Sequence, residues 1–230
     1  MADGDATHLD AATFAAFVDH TLLKPEATRA QIVDLCAEAV ELRTAAVCTN
    51  GLWVPTVAAE LAGSDVAVCS VVGFPLGAMS NTSVAAETRD AVDSGAVEID
   101  MVIAVGHLRA HDDRAAAEAV AAVRAAAPDA TLKVILETAI LSDDEIVRAC
   151  RLSVGAGADF VKTSTGFNTA GGATEAAVRL MRDTVGPDIG VKASGGIRSL
   201  ADVEAMLAAG ASRLGMSATA QVIAELEDRH

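Results

Sequence analysis

Short apolar runs recur along the 230 residues, separated by longer stretches with helical spacing. The runs are AFVDHT near residue 18, AAVCT at 45–49, VAVCSVV at 66–72, VEIDMVI at 97–103, LKVILET at 132–138, DFVKTS at 159–164, IGVKAS at 189–194 and SRLGM at 212–216. Each has the length and β-branched content of a strand. Between them, residues 27–43 and 175–185 carry amphipathic helical patterns. Ser142 with Glu145, and Ser199 with Asp202, have the spacing of helix capping boxes. Gly95, Gly157 and Gly210 each stand between small residues just before a strand, which suits the left-handed residue that ends a helix. Eight β-then-α units predict a closed (β/α)8 TIM barrel, one domain over residues 1–230 with an N-terminal extension over about 1–12. A doubly wound open sheet fits the same count.

Strand side chains alternate between faces. Glu98 therefore goes with Asp100, Lys133 with Ile135 and Glu137, Phe160 with Lys162, and Gly190 with Lys192. The residues between them (Ile99, Met101, Val134, Leu136, Val161, Val191) are apolar and suit a helix-covered exterior. The polar set is thus expected inside the barrel near its C-terminal mouth, where barrels carry their chemistry.

The lysines sharpen this picture. Lys24, Lys133, Lys162 and Lys192 are the only four, against thirteen arginines. Surface charge accepts either residue, whereas amine chemistry requires lysine. An inward lysine is costly unless paired or neutral. Burial and a second positive charge both lower an amine pKa, so Lys162 and Lys192, on adjacent strands, are expected to depress each other. A neutral amine can attack a carbonyl and form a Schiff base. An ion-pair network with Asp100, Glu98 or Glu137 would also account for inward lysines.

Three glycine-bearing turns follow the last strands: Thr165-Gly166 to Gly171-Gly172, Ser194-Gly195-Gly196, and Gly215-Met216-Ser217. Such turns let backbone N–H groups approach an anion, or simply turn the chain tightly. With Arg198 nearby they would admit a phosphorylated substrate to an acidic protein. The net charge of −15, the absence of tyrosine and the single tryptophan argue against nucleic acid. Acidity with few lysines fits either a salt-rich cytoplasm or ordinary solubility.

No apolar run reaches membrane-spanning length, and the start lacks a signal-peptide pattern, so a cytoplasmic protein is expected. The four cysteines show no metal-binding spacing, and His107 with His111 lack the ligands to complete a metal site. His20 reads either as an active-site hydrogen bonder or as a loop contact. No metal or organic cofactor is expected, and association into a homo-oligomer is left open.

The segments VDHTLLKPEAT (18–28), AAVCTN (45–50), VVGFPLG (71–77), VEIDMVIAVG (97–106), LKVILET (132–138), FVKTSTGF (160–167) and VKASGGIR (191–198) resemble, in order, the deoxyribose-phosphate aldolase family. The resemblance spans about Phe17 to Ile223. It implies reversible cleavage of 2-deoxy-D-ribose 5-phosphate to acetaldehyde and D-glyceraldehyde 3-phosphate, without cofactor. By motif, it implies Lys162 as the imine-forming residue, with Lys192 and Asp100 moving protons. Asp19, Thr21 and Cys48 would line the pocket. Thr165, Gly166, Gly195, Gly196, Gly215 and Ser217 would approach substrate oxygens or phosphate, and Lys133 and Glu137 would form a supporting ion network. The chain departs from some members in having Phe167 in place of lysine, GMSATA after the last strand, and no terminal tyrosine. Two further readings remain: a class I aldolase of different donor or acceptor range, and a barrel that binds a sugar phosphate without catalysis.

Overall fold

The computed structural model describes residues 9–229. Eight parallel strands close into a barrel in sequence order, β1 pairing with both β2 and β8. They are β1 (Val18–Leu22), β2 (Ala46–Asn50), β3 (Ala67–Val72), β4 (Glu98–Val102), β5 (Thr131–Ile135), β6 (Phe160–Lys162), β7 (Gly190–Ser194) and β8 (Arg213–Met216). The helices are α1 (Ala11–Ala15), α2 (Arg29–Leu42), α3 (Val54–Glu60), α4 (Asn81–Asp93), α5 (Val105–Arg109), α6 (Asp113–Ala126), α7 (Asp143–Gly155), α8 (Glu175–Val185), α9 (Leu200–Ala208) and α10 (Thr219–Glu227). Closure excludes the open sheet.

Of the extension expected over about 1–12, residues 1–8 lie outside the described residues. Ala11 already begins α1, capped by the Asp10 side chain, and this helix buries Phe14 in the core.

Capping explains where several helices begin. The boxes at Ser142/Glu145 and Ser199/Asp202 form, and a third joins Thr28 to Gln31 at the start of α2. Gly210 at φ 106° leads the chain into β8, and a Cβ there would stand 2.7 Å from the Arg182 side chain. Only glycine satisfies both the backbone and the space.

The strands bury two different sets of side chains. Outward residues such as Ile99, Met101, Val134, Leu136, Val161 and Val191 join the helices in the main apolar core. A smaller cluster of Ala46, Cys48, Cys69 and Val71, with Leu23 and Phe74, occupies part of the barrel interior. Most of the remaining interior is charged, with Ile135 and Phe160 set among the charged side chains.

Candidate active site

Asp100 on β4 is fully buried and is the hub of that charged interior. Its Oδ2 accepts hydrogen bonds from Lys162 Nζ at 2.7 Å and Lys192 Nζ at 2.6 Å, while Oδ1 accepts from Lys133 Nζ at 2.8 Å. Strand pairing dictates this meeting, since Lys162 lies opposite Lys192 and Asp100 opposite Lys133. Asp19 on β1 pairs with Lys192, with Lys133 at 3.4 Å and with Arg213 at 3.3 Å. Glu98 binds Lys133 at 2.5 Å and Arg213 at 2.8 Å. Four cations thus face three carboxylates inside the barrel.

These contacts set the protonation states. Burial opposes ionisation of Asp100, but Lys133, Lys162 and Lys192 outweigh it and hold the carboxyl well below its ordinary range. Asp19 is likewise lowered to about 2, its burial overcome by Lys133, Lys192 and Arg213. Burial works against charged Lys192 too, yet Asp100 and Asp19 raise its amine above the ordinary lysine value. The expected mutual depression therefore fails at Lys192, because two carboxylates reach that amine and fix it as a cation.

Above the cluster lies a cavity of about 320 Å³ at the C-terminal mouth. Lys162 is the one cluster residue among those lining it, and Lys192, Asp100, Asp19 and Cys48 lie beneath, fully buried. Thr21, Thr165, Gly166, Gly195, Gly196, Gly215 and Ser217 all line the cavity. The pocket wall anticipated at Asp19 and Cys48 is thus one layer too deep: Asp19 serves the ion cluster, and Cys48 packs its Sγ 3.5 Å from that of Cys69. Gly215 has a second duty, since a Cβ there would stand 2.9 Å from Ser194 Cβ and 3.1 Å from Lys192 Cε. Its missing side chain makes room for the Lys192 stem.

The residues that could offer a metal its ligands, Cys48, Cys69 and Asp100, or Asp19, Cys69 and Glu98, lie close together. Lys133 Nζ already stands among them, 3.4 Å from Cys69 Sγ and in contact with all three carboxylates. An ammonium fills the place of a cation.

The profile of the DeoC/LacD family aldolases matches residues 13–220. The chain belongs to this aldolase family. It is similar to the deoxyribose-phosphate aldolase of Brevibacillus brevis, 56% identical over 90% of this chain and 93% of that one. The deoxyribose-phosphate aldolase of Lysinibacillus sphaericus is 55% identical, over 89% and 92%. Among solved structures, the deoxyribose phosphate aldolase of Aeropyrum pernix, described as tetrameric, superposes with a TM-score of 0.89 at 30% identity, covering 96% of this chain and 94% of that one.

One residue of this aldolase, Glu137, stands elsewhere than alternation predicts. β5 ends at Ile135, and Glu137 adopts a left-handed conformation with φ 60° that carries it away from Lys133. Its carboxylate instead accepts hydrogen bonds from the Thr165 backbone at 3.2 Å and the Thr165 hydroxyl at 2.5 Å. Thr165 Oγ1 in turn accepts from the Phe167 N–H at 3.0 Å, so Glu137 fixes the β6 loop. His20 points outward from β1, with Nδ1 2.9 Å from Thr219 Oγ1 and Nε2 3.3 Å from Glu38. Burial lowers its pKa despite Glu38.

Other cavity residues escaped the sequence-based set. Ser194 lines the wall while its hydroxyl donates to Ser164 O at 2.8 Å. Phe167 also lines it and meets Phe74 edge-on, ring centres 5.2 Å apart, joining the β3 and β6 loops. Lys24 is a third, and its scarcity was the available signal.

Proposed function

We propose that this aldolase cleaves 2-deoxy-D-ribose 5-phosphate reversibly to acetaldehyde and D-glyceraldehyde 3-phosphate through an imine on Lys162. The observation that carries the reading is that Lys162 alone belongs both to the buried cluster and to the cavity wall. The names of its relatives supply the substrate. Lys162 pairs with Asp100 alone, whereas Lys192 pairs with two carboxylates and Lys133 with three, so Lys162 is the amine of the cluster least tied down.

The amine attacks the aldehyde carbon of the open-chain sugar, and loss of water gives the protonated imine. This cation is an electron sink held against Asp100. An ammonium has three N–H donors and a protonated imine one, so imine formation frees acceptor capacity on Asp100 Oδ2. The C3 hydroxyl then gives up its proton through water towards that oxygen, and the C2–C3 electrons pass into the imine as the bond breaks. Glyceraldehyde 3-phosphate leaves and an enamine remains. Lys192, held as a cation on the same carboxylate oxygen, supplies the proton that enamine carbon takes up, and water releases acetaldehyde. Lys133 keeps Asp100 and Glu98 in register.

The cavity contains three cations, Lys24, Lys162 and Arg198, and no carboxylate, which supports a phosphorylated substrate in a chain of net charge −15. The role that follows is breakdown of deoxyribose phosphate from deoxyribonucleosides. Four free cysteines support a reducing, cytoplasmic setting. The tetramer described for the Aeropyrum relative supports a homo-oligomer.

Borohydride reduction in the presence of acetaldehyde, followed by peptide mass spectrometry, tests the mechanism. An ethyl adduct on Lys162, absent in a folded Lys162→Leu variant, is expected. An adduct on Lys192 or Lys24 instead, or none at low and high salt, would refute it.

A further inference from the structure

We infer that Lys24 is a specificity-determining residue, which holds the anionic end of the substrate from the β1 side of the cavity and so selects phosphorylated over neutral sugars. The inference rests on the aldolase reading above for its substrate, but its evidence is separate.

Three of the four lysines form the buried cluster, and the fourth lines the cavity over it. Every lysine in the chain is thus committed to one place, where only two of the thirteen arginines, Arg198 and Arg213, join them. Lys24 and Arg198 both line the cavity and no carboxylate does, although the chain holds 32 acidic residues against 17 basic ones. With so many carboxylates in the chain and none on this wall, two cations lining one cavity point to a ligand anion as their partner.

The backbone around Lys24 is built to hold it there. Leu23 is buried against Cys48 and Val71, and its carbonyl accepts a hydrogen bond from Asn50 Nδ2 at 3.0 Å. The Ala27 N–H donates to the Lys24 carbonyl at 3.1 Å, and Pro25 restricts the intervening turn. The side chain itself is exposed, free of packing that a substitution would disturb.

Strand order supplies the geometry. β7, β8 and β1 are consecutive neighbours, so their loops place Arg198, then Gly215 to Ser217, then Lys24 around one side of the mouth. A phosphate lodged against the middle loop has a cation on either flank. Arg198 offers a planar fork, whereas Lys24 is a mobile point charge suited to a dianion whose oxygens face several ways.

The test compares the parent protein with Lys24→Gln and Lys24→Arg on 2-deoxyribose 5-phosphate and on unphosphorylated 2-deoxyribose. The kcat/KM ratio of the two sugars should fall about tenfold in Lys24→Gln, chiefly through KM of the phosphorylated sugar, and recover in Lys24→Arg. An unchanged ratio would overturn the inference. A second measurement follows the rise in Tm on adding inorganic phosphate, with potassium chloride at matched ionic strength as control. The rise should be smaller in Lys24→Gln than in the parent protein, and an equal rise overturns the inference. If the parent protein cleaves neither sugar but shows the Lys24-dependent phosphate shift, the substrate reading falls and the anion site stands.

Discussion

The barrel interior has two unlike halves. On β4 to β8 and β1 the inward side chains include seven charged ones, Asp19, Glu98, Asp100, Lys133, Lys162, Lys192 and Arg213, with Ile135 and Phe160 among them. On β2 and β3 they are Ala46, Cys48, Cys69 and Val71, covered by Leu23 and Phe74. The seam is Cys69, whose Sγ lies 3.5 Å from Cys48 and 3.3 Å from Asp100. Burial acts on both halves with opposite outcomes. It raises the Cys69 thiol well above its ordinary value, with Cys48 and Asp100 adding to the effect. At Asp100 the same burial is defeated by three lysines. The charged half is where the proposed chemistry sits, and the apolar half shields from water the hydrogen bonds that organise it.

The contrast is broken most severely at Asp100. Asp100→Asn leaves three buried lysines without their shared counter-charge, and a loss of about 3–5 kcal/mol is expected in urea unfolding. Lys162→Leu removes one cation of four and should leave stability much closer to the parent. Equal losses in the two variants would show that the cluster is not held by charge balance.

Acid probes the same half more gently. Asp19 titrates at about 2 in the folded protein against 3.8 for the free residue. A lowered folded-state pKa stabilises above the unfolded value, and that stability is lost as pH falls through the folded one. Asp19 should thus contribute roughly 2 kcal/mol at neutral pH that disappears between about pH 4 and pH 2. Denaturant midpoints measured across that window, in the parent and in Asp19→Asn, check it: the variant should have a flatter profile.

Much of the charged half was legible because alternation is enforced by the sheet. Asp100, Lys133, Lys162 and Lys192 follow from a period of two once the apolar residues between them are assigned outward. The reading fails where the strand stops. β5 ends two residues before Glu137, and a left-handed residue redirects the side chain, which no periodicity records. Depth was also hidden: alternation puts Asp19 and Cys48 inside without saying that the cavity floor lies above them. His20 has the right face for an outward residue, but its partners Glu38 and Thr219 come from helices distant in sequence. The protonation of Lys192 depends on two carboxylates from other strands, so strand adjacency to Lys162 alone misjudged its sign.

Glu137 offers a smaller test, at the rim between the halves and the cavity. Glu137→Gln keeps the size but weakens the charge-assisted bonds to Thr165, which anchors Phe167 and through it Phe74. A cost of about 1–2 kcal/mol is expected, with a KM increase for the phosphorylated sugar larger than the change in kcat. A kcat collapse with unchanged KM would place Glu137 in the proton path instead.

The mildest change belongs to the apolar half itself. Cys48→Ala removes one sulfur that does not itself line the cavity, and the hydrogen bond with Cys69 goes with it. That hydrogen bond lowers the Cys48 thiol pKa against its burial. If the half is only a wall, stability should fall by about 1 kcal/mol and kcat should stay within about threefold of the parent, because Asp100 keeps all three lysines. Steady-state kinetics and urea unfolding on the same preparation decide. A large kcat loss at near-parental stability would mean that the thiol takes part in proton movement, and the division between a chemical half and an insulating half would have to be redrawn through Cys48 rather than Cys69.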